Sequence, residues 1–234
     1  MDDTAWMRRA LALAEGGRYT AAPNPRVGCV LVRGGLQVGA GYHPRAGAPH
    51  AEAHALAEAG DRARGATAYV TLEPCAHHGR TPPCAEALIA AGVSRVVAAM
   101  TDPNPQVAGQ GLARLRAAGV AVDSGLLGAE AAALNPGFIK RMTSGRPYVR
   151  VKVAQSLDGR SALGNGHSRW ITGPAARADV QHWRARSQAI VTGSGTVLAD
   201  DPQLTVRDVP GAPQPLRVVL DSSRSSVCRN ARHV

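Results

Sequence analysis

Four residues in the first half of the chain have the types and spacing of a metal-assisted hydrolytic site: His50, Glu52, Cys75 and Cys84. Pro49-His50-Ala51-Glu52 opens one expected helix, Glu73-Pro74-Cys75 ends an expected strand, and Cys84 begins a further helix after eight intervening residues. Two cysteines and one histidine can therefore converge at the carboxyl edge of a sheet. Helix N-termini carry unpaired N–H groups and a positive dipole end, which favour thiolate, so Cys75 and Cys84 could take a metal without a large protonation cost. Three protein ligands leave a fourth position open, the arrangement of a catalytic rather than a structural zinc, where water has its pKa lowered to about 7. Glu52, two residues past His50, is better placed to carry protons than to bind metal.

His-x-Glu followed by Pro-Cys and a second cysteine is similar to the signature of the zinc-dependent nucleobase deaminases, in which the glutamate moves a proton from water to a ring nitrogen and a leaving amine. The chain departs from that signature in the spacing, eight residues between Cys75 and Cys84 in place of two. A structural zinc site is the alternative, and it needs a fourth ligand, for which His54, one turn after His50, or His77 or His78 could serve. The expectation is that His54 packs or hydrogen-bonds on its helix, that His77 and His78 lie in a substrate loop, and that Cys29 and Cys228 are inert thiols.

The elements that must position these residues read as an α/β layered domain. A helix is expected over residues 4–15, with Asp2, Asp3 or Thr4 as N-cap and Trp6, Met7, Ala10, Leu11 and Ala14 on one face. Two antiparallel strands, 27–32 and 36–40, are joined by an Arg33-Gly34-Gly35 turn. Helices at 51–59, 84–91 and 108–118 then alternate with strands at 67–72, 95–100 and 120–122. The breaker-rich segment Met142 to Pro147 sets a domain boundary, dividing the chain into 1–145 and 146–234. The second part is read as a strand at Tyr148–Ala154, a Gly-rich loop at 159–166, a helix after Pro174, a strand at 188–192, a loop at 196–202 and a strand at 216–221.

Composition bounds the function. With 44% apolar, 19% charged and only 3% aromatic residues, the 234-residue chain is globular, with a core of Ala, Val and Leu; disorder, collagen and disulfide scaffolds are disfavoured. No apolar run reaches the roughly 18 residues of a membrane span and the start lacks a signal-peptide pattern, so a cytoplasmic protein with no membrane partner is expected. The net charge is 27 minus 17, or +10, with 14 basic against 11 acidic residues in 1–145 and 13 against 6 in 146–234. Such a balance attracts nucleic acid but equally suits phosphorylated small molecules and dinucleotides.

Further motifs carry a closer resemblance. The Cys75–Cys84 insertion, Asn24-Pro25-Arg26-Val27-Gly28-Cys29, Gly41-Tyr42-His43 and Asp102-Pro103-Asn104-Pro105 resemble the deaminase half of the bifunctional riboflavin-biosynthesis deaminase/reductases, over essentially all of residues 1–145. Val151 to Gly159 and Ser168-Arg169-Trp170-Ile171-Thr172 resemble the reductase half of the same family. The resemblance implies a cytidine-deaminase-like three-layer α/β domain followed by part of a dihydrofolate-reductase-like α/β domain, with Zn²⁺ and NADPH as cofactors. It implies zinc on His50, Cys75 and Cys84 and catalysis by Glu52. Asn24 and His43, polar residues in loops, would contact substrate, with plain turn-forming roles as the alternative; Arg80 would bind the substrate phosphate or stand free on the surface.

In the second part, Ala154, Trp170, Thr196 and Asp200 fall at the family's NADP positions, with Ser222 a further candidate. Ser168, Arg184, Leu204 and Arg207 fall at its substrate positions. Lys152 would act on the sugar or its phosphate, or be a strand surface charge, and Trp183 is expected to anchor a core. Family members continue beyond Val234, which predicts a partial reductase domain. The expected activity is deamination of a phosphorylated diaminopyrimidine and then NADPH-dependent reduction of its ribose, by a homo-oligomer that binds no nucleic acid. The rivals are a tRNA adenosine deaminase and a non-catalytic zinc-stabilised nucleic-acid-binding module.

Overall fold

In the computed structural model, residues 1–76, 83–105 and 107–222 are described, and their contacts gather in two units, Met1–Val149 and Arg150–Val234. The first unit begins with α1 (Asp3–Ala14), which Asp2 caps by accepting a hydrogen bond from the Ala5 amide at 2.8 Å. Trp6, Met7, Ala10 and Ala14 form its buried stripe. Strands β1 (Gly28–Arg33) and β2 (Leu36–Tyr42) form a hairpin whose turn residues Gly34 and Gly35 have φ of +58° and +76°. Two consecutive left-handed residues are what a tight hairpin turn with native twist demands.

From there helices and strands alternate: α2 (Ala51–Ala59), β3 (Thr67–Val70), α3 (Cys84–Ala90), β4 (Arg95–Ala98), α4 (Gln110–Ala117), β5 (Ala121–Ser124), α5 (Gly128–Leu134) and α6 (Pro136–Ser144). The sheet order is β2-β1-β3-β4-β5; β1 is antiparallel to both neighbours, and β3, β4 and β5 run parallel. Side chains alternate across it. Cys29, Leu31, Val70, Val96 and Ala98 pack with Ala51, Ala55, Ala85, Leu88, Leu112 and Leu115 from α2, α3 and α4. Val30, Val32, Tyr69 and Val97 pack with Trp6, Met7 and Ala10 of α1 and Ala131 of α5. A sheet covered on both faces is the middle layer of three, which is why β1, β3 and β4 read as nearly unbroken apolar runs.

The small residues set the layer spacing. A Cβ added at Gly39 would lie 2.1 Å from the Ala55 carbonyl oxygen, and one at Gly41 2.5 Å from that of Ala51. Helix α2 therefore rests directly on the backbone of β2, and this contact fixes where its first turn, with His50 and Glu52, meets the sheet edge.

The second unit contains α7 (Pro174–Ala185), the parallel pair β6 (Ala189–Gly193) and β7 (Leu216–Leu220), and α8 (Ser194–Asp200), with Ala185, Val197, Leu204 and Val206 buried. Three sequence expectations differ here and in the preceding segment. Residues 148–154 form no strand among the described residues; Val149, Val151 and Val153 are 74%, 80% and 62% exposed, and an alternating pattern makes a strand only when a neighbour pairs with it. The expected loop at 196–202 is largely helix α8, which buries only Val197 and so carries too little apolar periodicity to announce itself. Helices α5 and α6 were not anticipated: α5 is short and Ala-rich and buries only Ala131, while α6 does place Phe138, Ile139 and Met142 at helical spacing but buries none of them fully. Among the described residues, no helix is long and apolar enough to cross a membrane.

A charged network ties the first unit's α1 to β3, β4 and β5. Arg95 grips Asp3 with both terminal nitrogens, at 3.1 and 2.7 Å, and Asp123 through Nε at 2.9 Å, while the Tyr69 hydroxyl donates to Asp3 Oδ1 at 2.6 Å. The Arg95 bonds, then the Tyr69 bond, hold the Asp3 carboxyl below its ordinary pKa. A depressed acid stabilises the fold above its unfolded value, about 3.9, and that stabilisation is lost as pH falls through the lower folded value. The pair is partly solvent-screened, so D3N is expected to lower stability at pH 7 by no more than about 1 kcal/mol. Urea unfolding should show the difference between wild type and D3N shrinking below about pH 4; a difference independent of pH would refute the assignment.

Candidate active site

The site lies at the carboxyl ends of β3 and β4, where the starts of two helices meet. His50 is the N-cap residue of α2, Cys84 is the first residue of α3, and Cys75 lies in the segment after β3. The chain folds this way because α3's first N–H groups need acceptors: the Cys84 amide donates to Cys75 Sγ at 3.3 Å and the Ala85 amide to the Cys75 carbonyl at 3.1 Å. His50 Nδ1 lies 3.7 Å from Cys75 Sγ and 3.3 Å from Cys84 Sγ, and the three ligand atoms are all within 4.8 Å of one another.

This donor set fits zinc. Tetrahedral bonds of about 2.3 Å to sulfur and about 2.0–2.1 Å to nitrogen put S···N separations near 3.5 Å, so the three atoms could close on one ion with little movement. The electrostatics agree. Hydrogen bonds from the Cys84 thiol, from His50 and from the Cys84 amide hold the Cys75 thiol down at about 4, while the neighbouring Cys75 sulfur and burial push Cys84 up. Metal binding takes the deprotonated thiolates, so a cation here would release the protons the thiols hold. Among the described residues the group has three members, and His54 is not one of them: it is exposed on α2, its Cβ above Gly41 of β2. His77 and His78 lie outside the described residues.

Glu52 is buried, at 3% exposure, in the first turn of α2. Burial is the largest influence on it and raises its pKa above the ordinary carboxylate range; a side-chain hydrogen bond with Cys84 and the nearby His50 oppose the rise. A buried carboxyl whose proton affinity is raised in this way is suited to accept and return a proton.

Asn24, His43, His50, Glu52 and Cys75 line one cleft of about 290 Å³. His43 is buried and its ring stands edge-on to that of His50, with centroids 5.3 Å apart. Its Nδ1 is 3.1 Å from the Pro49 carbonyl and its Nε2 3.1 Å from Asn24 Nδ2. A carbonyl only accepts, so Nδ1 carries the hydrogen, and Nε2 accepts from the Asn24 amide. Burial lowers the His43 pKa, in keeping with a neutral ring. His43 thereby braces the residue before His50 and turns the Asn24 amide so that its oxygen faces away from the His43 ring.

Leu72, Glu73, Asp102, Asn104, Val107 and Phe138 also line the cleft, and sequence reasoning gave none of them a role in it. For Asp102 and Asn104 a signal existed. They follow β4, which is parallel to β3, so the loops after the two strands share one edge. Phe138 lies on α6, whose apolar residues Phe138, Ile139 and Met142 share one side at helical spacing, a signal that could have pointed to it. Arg80 lies outside the described residues.

In the second unit the expected residues are less closely gathered. Asp200 of α8 pairs at 3.8 Å with Arg169, the residue before Trp170, and Thr196 is on the same helix. Trp170 is 73% exposed beneath the Arg177 guanidinium, 4.5 Å from its centroid. Arg184 donates to the Thr205 carbonyl at 2.9 Å, and burial, then repulsion from Arg207, lower its pKa. The backbone amide of Arg207 donates to the Gln181 side chain at 2.9 Å, and Leu204 is buried. Ala154 and Ser168 are half-buried, Lys152 and Ser222 are exposed, and no described contact joins them to these groups. Trp183 is not the expected core anchor: it is half-buried between Arg150 and Arg186, 3.6 and 4.5 Å from its centroid, and donates to Asp179.

Known proteins resemble the chain in both units. The family model described as "Cytidine and deoxycytidylate deaminase zinc-binding region" matches residues 1–100, and that of the RibD C-terminal domain matches residues 147–231. The chain is 60% identical to the riboflavin biosynthesis protein RibD of Escherichia coli K12, over 95% of this chain and 64% of that protein. It is 57% identical to RibD of Haemophilus influenzae, over 94% and 62%. Among solved structures, Acinetobacter baumannii RibD superposes with a TM-score of 0.92 at 56% identity, over 98% of this chain and 66% of that one. A Thermotoga maritima protein described as a diaminohydroxyphosphoribosylaminopyrimidine deaminase/5-amino-6-(5-phosphoribosylamino)uracil reductase superposes with a TM-score of 0.88 at 43% identity, over 94% and 63%. The chain thus spans just under two thirds of these relatives' length. A cytidine-deaminase-like domain followed by sequence of the RibD C-terminal domain, in one order and at these identities, makes the chain a member of the RibD family.

Proposed function

We propose that the first unit catalyses hydrolytic deamination of 2,5-diamino-6-(5-phosphoribosylamino)pyrimidin-4-one to 5-amino-6-(5-phosphoribosylamino)uracil. The observation that carries the reading is the convergence of His50, Cys75 and Cys84 beside the buried Glu52, in a cleft sized for a small ring. His50, Cys75 and Cys84 hold zinc, which supplies Lewis acidity to a water molecule. Glu52 takes the water's proton as the oxygen bonds to the amino-bearing ring carbon. It delivers that proton to the ring nitrogen and, as the new hydroxyl becomes a carbonyl, carries the hydroxyl's remaining proton to the amine, which leaves as ammonia; one water is consumed and no electron changes hands. Asn24, its amide oriented by His43, faces the bound substrate, and Arg80 is assigned to the substrate phosphate.

The second unit is read as part of an NADPH-dependent reductase that converts the ribose of that product to ribityl. Thr196, Asp200 and Trp170 are assigned to the nucleotide, a reading supported by the Arg169–Asp200 pair that brings α8 to the Trp170 segment. Ala154 and Ser222 are assigned to it on family grounds alone. Arg184 and Arg207, two cations whose mutual repulsion an anion would relieve, suit the substrate phosphate. Ser168, Leu204 and Lys152 complete the assigned substrate set. The reading includes a cytoplasmic homo-oligomer acting on a small molecule.

Ammonia release from the phosphorylated diaminopyrimidine tests the first activity. It should be abolished by a zinc chelator and absent with cytidine or a tRNA anticodon stem; release from the latter two would favour another deaminase. E52Q should keep its zinc and lose about 10²- to 10⁴-fold in kcat, the usual contribution of a positioned proton carrier. Metal analysis should find one zinc in wild type and in His54→Ala but none in His50→Ala. Loss of zinc from the His54 variant would establish a four-ligand structural site instead.

A further inference from the structure

Glu73 is buried at 4% exposure, two residues before Cys75, and lines the cleft. Its carboxylate is occupied by backbone donors: Oε2 accepts from the amides of Asp102 at 3.0 Å and Gly109 at 2.9 Å, and Oε1 from those of Gly111 at 2.8 Å and Leu112 at 3.3 Å. All four belong to the segment between β4 and the first turn of α4. Helix α4 has Gly109 at its N-cap with φ of +80°, no side-chain cap of its own and no acid in its first turn. The unpaired N–H groups and the positive dipole end that such a helix presents are met by a carboxylate from another strand. The approach is close: a Cβ at Gly111 would lie 1.8 Å from the Pro74 carbonyl oxygen.

The same segment carries Asp102, Asn104 and Val107, which line the cleft together with His50 and Glu52. The bond to the Asp102 amide reaches the residue from which the loop starts, and Asp102 Oδ1 in turn accepts from the Asn104 amide at 2.8 Å. The peptide after Glu73 leads through Pro74 to the ligand Cys75. One carboxylate therefore ties the segment after β3, which leads to Cys75, to the loop that supplies Asp102, Asn104 and Val107 to the cleft lining.

We propose that Glu73 is a positioning residue for the substrate wall of the cleft: it sets the distance between the zinc-ligand edge and Asp102, Asn104 and Val107, and so tunes substrate binding beyond its capping of α4. This rests on the deaminase reading of the cleft. Glu73 makes no chemical step; all four of its N–H partners are engaged in holding backbone.

E73Q keeps the side chain's size but turns an NH₂ group toward two backbone donors, which opens one arm of the tie. Q110E places an acid in the first turn of α4, which offsets the dipole without touching the strand end. E73Q should retain its zinc, melt lower than wild type, and raise KM for the diaminopyrimidine by about ten- to hundredfold, the scale expected for sub-ångström to ångström displacement of binding groups. E73Q/Q110E should recover the melting temperature while KM stays raised, and it serves in place of E73Q if the single variant is insoluble. Recovery of KM together with melting temperature, or a KM within twofold of wild type in either folded variant, would reduce Glu73 to a helix cap and overturn the proposal while leaving the deaminase reading intact. A zinc-loaded wild-type chain that releases no ammonia would instead overturn that reading and this inference with it.

Discussion

Everything in the first unit depends on one crowding problem: three lone-pair donors, two of them sulfur, stand within 4.8 Å of one another at a sheet edge. Bare, such a group repels itself, and only a proton or a cation between the donors makes it stable. The crowding shows in the two thiols, each acting on the other so that Cys75 is held low and Cys84 pushed up. The helix starts supply the remaining positive end, through the Cys84 amide that donates to Cys75 Sγ. The architecture around the site is the means of keeping that crowding in place, since each ligand is anchored on a different element.

The aromatic-poor composition follows from the same geometry. Ala51, Ala55 and Ala59 are the buried residues of α2 that face Gly39 and Gly41 of β2, and the helix rests on bare backbone. Larger side chains would lift α2 and carry His50 and Glu52 away from Cys75. The core then gains its stability from close contact of many small groups rather than from a few large ones. Tyr69 and Trp6, the larger aromatics of the opposite face, are where the helix does not have to bring a ligand to the edge.

How much of this is legible in the sequence depends on whether a feature is local. The helix starting at residue 51, the Gly34-Gly35 turn and the alternation of strands and helices are written in short-range periodicity and turn chemistry, and the structure shows them within a few residues. The His50, Glu52, Cys75 and Cys84 constellation is legible too, because metal chemistry restricts residue types so strongly. Helices α5 and α8 are short and bury one apolar residue each, so periodicity has little to report there, whereas α6 carries a short apolar stripe, Phe138, Ile139 and Met142, that the breaker-rich segment after it obscures. The valines at 149, 151 and 153 mislead in the opposite sense, since alternation records a capacity to pair, and pairing needs a second strand.

The two buried glutamates of the cleft show why function is easier to read than its support. Both come from short motifs next to metal ligands, Glu52 two residues after His50 and Glu73 two residues before Cys75. Glu52 is shifted chiefly by burial, and a group in that condition gains from exchanging a proton with whatever enters the cleft. Glu73 has its oxygens saturated by four amides from residues 29 to 39 positions away in sequence. No local pattern announces such a bond set, because its partners are backbone groups that any residue supplies. The only sequence trace is negative: a helix that begins with Gly109-Gln110-Gly111 and neither caps itself nor places an acid in its first turn. A helix start left unsatisfied in the sequence of a well-packed domain implies an acceptor elsewhere in the fold, and a glutamate at the end of an adjacent parallel strand is within reach to provide it.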